Sequence, residues 1–268
     1  MRTRLLVTVT VLAGSTGDAR AQEVRREFAE LHMGVAVRIE LYAPDDGTAR
    51  TAARAAYARI AELEDIMSDY RAESEVRRLA ERPDAAVPVS LDAAARRVGW
   101  RKVRADSVTR SIRLDTAGMG LDLGGIAKGY ILDQALLVLG RHGVTRALIQ
   151  AGGDIVVGDP PPGRAGWRVA VPGGGEAVRG RAGALAHAAL SLSGDTEQYV
   201  IVAGVRYSHV VDPRTGVGLT SRRQAAVVAE DGLTADGLAT ALTVLDDARG
   251  AELLHAYPGV VAEVRRVP

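Results

Sequence analysis

A glycine-rich turn with one acid and one lysine is the part of the sequence best suited to chemistry on a phosphate. In the stretch LDLGGIAKGYILD, Asp122 precedes Gly124 and Gly125, and Lys128 follows them. The pattern predicts a strand end, a tight turn and a helix. Glycine lets the backbone approach a ligand closely, and a helix N-terminus attracts negative charge. The segment indicates a phosphate-bearing ligand, and an ordinary glycine turn before a helix is the alternative.

Lys128 stands out because the chain has 32 arginines but only two lysines, Lys102 and Lys128. A compact ammonium group fits a narrow turn in which a planar guanidinium does not. The lysine therefore favours a functional turn, with chance placement as the alternative. Gly129 stands where the nucleotide P-loop has Ser or Thr, and the glycine spacing excludes the dinucleotide fingerprint.

A carboxylate and a hydroxyl four residues apart form a second candidate site. Asp236 and Thr240 open a predicted helix over Ala235–Leu245. Residues at i and i+4 share one helix face, and oxygen ligands suit Mg²⁺ beside a substrate phosphate. The alternative is an acid favoured by the helix dipole next to an incidental threonine. Spacing alone favours this alternative.

A histidine and two further turns complete the candidates. His209 lies on a strand predicted over Tyr207–Val211, where it would act as a general base, contact a phosphate, or pair with the backbone. The turns AGGD, Ala151–Asp154, and SGD, Ser193–Asp195, each follow an apolar strand. Such turns can place backbone at a ligand, although most are only turns.

These candidates must be positioned by a mixed set of helices and strands. Apolar spacing predicts further helices over Thr48–Met67 and Ile126–Leu139, and a hairpin over Val103–Leu114. Alternation and short apolar runs predict strands over Val35–Leu41, Ala147–Gln150, Ile155–Val157, Ala186–Leu192, Tyr199–Val202 and Ala225–Ala229. Because the elements follow no regular βαβ repeat, the sequence predicts an α+β fold with mixed, mainly antiparallel sheets and packed helices.

The first 21 residues have the pattern of a secretory signal peptide. A basic start, a short apolar run and an Ala19-Arg20-Ala21 cleavage site predict an exported, periplasmic, soluble protein whose mature chain, 22–268, is one domain. The formal charge is +1; removing three Arg and one Asp, net +2, leaves −1. Near-neutral charge gives no footprint for nucleic acid, and no later segment predicts a membrane span. The chain has no cysteine, so it has no disulfide framework.

Seven short motifs, in this order, resemble the FAD:protein FMN transferases, the ApbE family. The motifs are MG at Met33, MSDYRAESE at Met67, LDLGGIAKGY, AGGD, SGDTEQY at Ser193, YSHVVDPRTG and ADGLATAL at Ala235. The resemblance runs from Met33 to about Leu245. It implies a two-lobed, T-fold-like architecture that holds its ligand between the lobes, and a location outside the cytoplasm.

The resemblance also implies roles for matching residues. Those that resemble the family's FAD-binding positions are Met33, Tyr70, Asp122, Lys128, His209 and Val211. Magnesium would be held by the backbone carbonyl of Gly125 and by the side chains of Asp236 and Thr240. His209 or Asp195 would serve as the base, and the sequence does not choose between them.

The implied reaction is a magnesium-dependent phosphoryl transfer. The family splits FAD and joins FMN through a phosphoester to a threonine of a target flavoprotein, releasing AMP. Two alternatives use the same residues: a Mg²⁺-dependent FAD pyrophosphatase giving FMN and AMP, and a non-catalytic flavin-binding protein. The sequence departs from the family in one place, because an internal block that contributes to FAD binding is missing between about Ser90 and Val98.

Overall fold

A seven-stranded antiparallel sheet is the centre of the fold. The computed structural model describes residues 23–80, 100–115, 119–171, 174–194 and 199–266. Its strands are β1 (Val24–His32), β2 (Val35–Ala43), β3 (Val103–Asp106), β4 (Ser111–Leu114), β5 (Ala147–Ala151), β6 (Asp154–Val157), β7 (Ala188–Ser193), β8 (Tyr199–Val202), β9 (Val205–Ser208), β10 (Val211–Asp212), β11 (Val217–Gly218), β12 (Arg223–Ala229) and β13 (Val261–Arg266). The large sheet has the order β1-β2-β5-β6-β7-β12-β13, with every neighbouring pair antiparallel. The pairs β3–β4, β8–β9 and β10–β11 are separate two-stranded sheets.

Helices cover the large sheet on both faces. They are α1 (Asp46–Met67), α2 (Glu75–Ala80), α3 (Ala127–Arg141), α4 (Glu176–Ala182), α5 (Gly232–Val244) and α6 (Asp247–His255). The larger core lies between the sheet and helices α1, α3 and α5. A smaller core on the opposite face gathers around α4 and the buried Trp167.

Strand alternation divides the two cores. In β12, Ala225 and Val227 pack into the larger core, whereas Ala226 and Val228 pack into the smaller one. In β2, Val37 is fully buried in the larger core, as are the other residues on its face. Since successive side chains point to opposite faces of a strand, a central strand covered on both sides must be apolar at almost every position, as β12 is.

The α+β class with a mainly antiparallel sheet is confirmed. The hairpin predicted over Val103–Leu114 is β3–β4, and α1 and α3 match the predicted helices to within two residues at each end. Helix α5, however, begins at Gly232, because the Asp231 carboxylate accepts a 2.7 Å hydrogen bond from the Thr234 N–H and caps it. Asp236 therefore lies in the second turn, so its interpretation as a first-turn acid is wrong.

The strand predicted to carry His209 is also wrong in its bounds. Strand β9 ends at Ser208, and β10 begins at Val211. The Ser208 hydroxyl accepts a 3.0 Å hydrogen bond from the Val210 N–H, a side-chain turn that competes with strand pairing. His209 consequently sits in a bend and is exposed.

Several outer elements have no counterpart among the sequence predictions. Strand β1, VRREFAELH, carries charges on both faces because it is an edge strand, and its polarity hides the alternation. Strand β13 at the opposite edge and the short helices α4 and α6 were missed as well. Among the described residues, no helix combines the length and apolar character needed to cross a membrane.

Candidate active site

The glycine turn and two helices meet through direct backbone contact. A Cβ added to Gly129, in the first turn of α3, would lie 2.0 Å from the carbonyl oxygen of Gly232, the first residue of α5. Asp133, one turn along α3, accepts hydrogen bonds from the Gly232 N–H at 2.8 Å and the Leu233 N–H at 2.9 Å. These bonds satisfy amide groups that α5 cannot pair internally, and they fix the two helices against each other.

Asp236 and Thr240 face the glycine turn from α5. The Gly129 N–H donates a 3.1 Å hydrogen bond to Asp236 Oδ2. A Cβ on Gly125 would lie 3.2 Å from Thr240 Oγ1 and 2.9 Å from its methyl carbon. The hydroxyl of Thr240 is also 3.4 Å from that of Ser193, at the end of β7. A carboxylate, two hydroxyls and the backbone of Gly125 thus converge on one place.

A second buried carboxylate, Asp154, belongs to this cluster. Its Oδ2 lies 2.5 Å from the ammonium of Lys128, and its Oδ1 accepts a 2.5 Å hydrogen bond from the Ser191 hydroxyl. The AGGD turn drew attention in the sequence, but Asp154 was not among the predicted site residues. The available signal was an acid between a glycine turn and a fully apolar strand, where burial of a charge requires a partner.

The two carboxylates compete for one cation. Burial raises the pKa of Asp236 to about 7; the charge of Asp154 raises it further, while the Gly129 N–H and Lys128 act in the opposite direction. With Asp236 only 3% exposed, two ionised carboxylates and one ammonium would leave net negative charge in a buried place. A bound cation would offset that charge.

The chemistry of these donors fits magnesium. Asp236, Thr240 and the carbonyl of Gly125 offer oxygen only, and Mg²⁺ characteristically takes one or two carboxylates and completes its shell with water and substrate phosphate. Within the described ranges, no group of three or more His, Cys, Asp and Glu side chains could hold a metal. The cluster therefore suits an ion that binds together with its substrate, rather than a closed structural site.

The loop after α1 lies beside the glycine turn. Asp122 accepts a 2.8 Å hydrogen bond from the Gly124 N–H, which closes that turn. Burial, followed by the charge of Asp122, raises the pKa of Asp69, so the two acids are close in space. The neighbouring Tyr70 ring is 88% exposed and offers a flat aromatic surface next to the turn.

The remaining predicted residues lie away from these contacts. Met33 forms the two-residue turn between β1 and β2 with Gly34, at φ values of 51° and 72°. His209 is exposed in its bend, and Val211 is 45% exposed. None of the hydrogen bonds and ion pairs given above for the described residues involves these three. Asp195 lies outside the described residues.

Sequence comparison places the chain among flavin transferases. The profile of the ApbE family matches residues 86–264. The FAD:protein FMN transferase of Treponema pallidum is 31% identical over 191 residues, 65% of this chain and 53% of that protein. Its counterpart in Vibrio cholerae is 31% identical over 192 residues, 70% of this chain and 54% of that protein. The chain therefore spans about half the length of these curated relatives.

Solved structures share the fold. The apo form of the flavinyl transferase ApbE of Pseudomonas stutzeri superposes with a TM-score of 0.75 at 22% identity, covering 92% of both chains. The ApbE protein of Thermotoga maritima gives a TM-score of 0.72 at 24% identity, covering 91% of this chain and 97% of that one. At these identities the similarity concerns the fold alone.

Proposed function

Because this chain belongs to the ApbE family, we propose that it is a magnesium-dependent flavin transferase. It splits FAD and attaches FMN through a phosphoester to a threonine of a target flavoprotein, releasing AMP. The observation that carries this proposal is the convergence of Lys128, Asp154, Asp236 and Thr240 on the glycine turn at Gly125.

The diphosphate is bound by the glycine turn and its lysine. Backbone N–H groups at the start of α3 point toward the approaching phosphates, and the ammonium of Lys128, held by Asp154, supplies a point charge. Asp236, Thr240 and the Gly125 carbonyl would hold Mg²⁺. When bound, the ion neutralises charge on the diphosphate and on the departing AMP.

The flavin is held on the side of the tyrosine. The exposed ring of Tyr70 offers a stacking surface, and Met33, Asp122, His209 and Val211 complete the flavin side of the site.

The transfer step exchanges one phosphorus–oxygen bond for another. The threonine oxygen of the target forms a bond to the phosphorus of the FMN half, and the diphosphate bond to AMP breaks. The threonine proton goes to a base, for which His209 and Asp195 are the candidates. The signal-like first 21 residues, which lie outside the described ranges, support an exported target.

The experiment follows flavin from FAD onto protein. The purified protein is incubated with FAD, Mg²⁺ and a flavoprotein domain that carries an acceptor threonine. We expect flavin fluorescence on the denatured target, which disappears when EDTA removes the metal or when the acceptor threonine is replaced by valine. Free FMN and AMP with an unlabelled target would instead indicate a pyrophosphatase, and bound FAD without products would indicate a flavin-binding protein.

Replacing Lys128 with arginine tests the geometry of the turn. The ammonium reaches Asp154 from a side chain that is only 34% exposed, and the planar guanidinium is both larger and differently directed. We expect kcat/KM for FAD to fall by about tenfold or more despite the retained charge. Lys102→Arg, at the chain's other lysine, is the matched control and should leave the kinetics unchanged. Wild-type kinetics for Lys128→Arg would show that the lysine is incidental.

A further inference from the structure

Glu64, near the end of α1, lies between two segments that the proposed function assigns to the flavin. One is the β1–β2 turn, where His32 precedes Met33. The other, here called the tyrosine loop, comprises residues 68–74 and carries Tyr70. Glu64 itself is not among the residues that the sequence predicts for the site.

One carboxylate contacts both segments. Glu64 Oε1 accepts a 3.0 Å ion-paired hydrogen bond from Nη2 of Arg71, the residue after Tyr70. Glu64 Oε2 lies 3.6 Å from Nδ1 of His32, the residue before Met33. The side chains of Glu64 and His32 are only 12% and 13% exposed. Because charge interactions strengthen away from water, this buried bridge couples the two segments.

His32 is held firmly on its other sides. Its ring stacks on the buried Tyr57, with centroids 5.6 Å apart and planes 14° apart, and the Tyr57 hydroxyl donates a 3.1 Å hydrogen bond to the Val37 carbonyl. His32 Nε2 lies 3.2 Å from a Glu30 carboxylate oxygen. The turn that carries Met33 is therefore anchored to the core.

The tyrosine loop has an ordered backbone but an exposed ring. Ser68 Oγ accepts hydrogen bonds from the N–H groups of Tyr70 and Arg71, each at 3.2 Å. The fully buried Ser74 donates its hydroxyl to the Ser68 carbonyl and receives the Arg77 N–H at 3.0 Å. A loop this well bonded needs little further ordering when a ring stacks on Tyr70.

We propose that Glu64 is a positioning residue that sets the tyrosine loop against the Met33 turn for FAD. It acts through Arg71 and His32 and does not itself touch the substrate. The proposal rests on the proposed function, because that function assigns Met33 and Tyr70 to the flavin. Loss of the carboxylate charge would loosen Arg71 and leave the loop to be ordered at the expense of binding free energy.

The test measures FAD affinity and turnover of Glu64→Gln, an isosteric change that keeps the side chain's size. We expect the Kd for FAD to rise by about fivefold to tenfold, the range expected for ordering one or two side chains on binding. kcat at saturating FAD should stay within about twofold of wild type, because the phosphate end of the site is untouched. Glu62→Gln, whose carboxylate pairs with Arg59 on the outer side of the same helix at 2.7 Å, is the matched control.

A double-mutant cycle separates positioning from general destabilisation. In a Tyr70→Ala background, Glu64→Gln should weaken FAD binding by less than about twofold, because the ring that Glu64 positions is gone. Hydrogen exchange in the absence of FAD gives a second readout. The amides of Tyr70 and Arg71 should exchange faster in Glu64→Gln than in Glu62→Gln.

The outcomes distinguish this proposal from the function on which it rests. A wild-type protein that binds no FAD overturns both. A wild-type protein that binds FAD, together with an unchanged Kd in Glu64→Gln, overturns the positioning role alone. Equal weakening with and without the Tyr70 ring, or unchanged amide exchange in the loop, also contradicts it.

Discussion

Replacing Asp236 with asparagine is expected to reduce Mg²⁺-dependent FMN transfer on the order of 100-fold, the loss seen when a centre of charge stabilisation is removed. Asparagine keeps the size of the side chain and an oxygen that can accept the Gly129 N–H. It removes the charge that would hold the metal. Since the ionised carboxylate is buried beside Asp154, its neutral replacement should leave the melting temperature equal to wild type or higher.

Thermal unfolding gives this prediction an independent readout. Millimolar Mg²⁺ with FAD should raise the melting temperature of the wild-type protein, because ligands that bind only the folded state stabilise it. The same additions should leave Asp236→Asn unchanged. Asp231→Asn is the matched control, since it removes a carboxylate at the cap of the same helix and asparagine caps equally well. Wild-type turnover in Asp236→Asn would exclude Asp236 as a metal ligand.

Replacing Gly129 with alanine is expected to lower the free energy of unfolding by about 3 kcal/mol or more, at the upper end of overpacking effects. The added carbon would meet the Gly232 carbonyl at 2.0 Å and the Asp236 Cβ at 2.9 Å. Backbone on both sides cannot move without separating α3 from α5. The melting temperature should therefore fall by about 10 °C, and transfer activity should fall with it.

Gly140→Ala is the matched control on the same helix. No atom lies within 4 Å of a Cβ added there, so alanine should stabilise α3 by about 0.5–1 kcal/mol through its higher helix propensity. Differential scanning calorimetry of the two variants measures both effects. Equal melting temperatures would contradict the close contact of the two helices at the site.

Local sequence patterns were enough for elements whose two ends are marked. The hairpin over Val103–Leu114 was predicted because its turn is polar and its strands alternate. The helix that carries Asp236 and Thr240 was predicted from apolar spacing, and that spacing correctly placed both residues on one face. Its start was misjudged, because the cap is Asp231 and the first helical residue is a glycine, which has low helix propensity.

The rest depends on contacts between distant parts of the chain. Asp154 joins the site only because β6 places it beside Lys128 of α3 and Ser191 of β7. The pairing of Gly129 with Gly232 spans more than a hundred residues, and no local rule relates two glycines that far apart. Likewise, Glu64 is an ordinary helix acid in the sequence, and its link to His32 appears only when β1 lies beside α1.

The measurement that tests the central claim most directly is the ratio of AMP released to FMN covalently attached. The purified protein is supplied with FAD, Mg²⁺ and a threonine-bearing flavoprotein domain; AMP is counted by chromatography and FMN by the intact mass of the target. A transferase gives one AMP for each FMN on the target, and neither product forms without the metal. AMP that accumulates while the target keeps its original mass would contradict the proposed function.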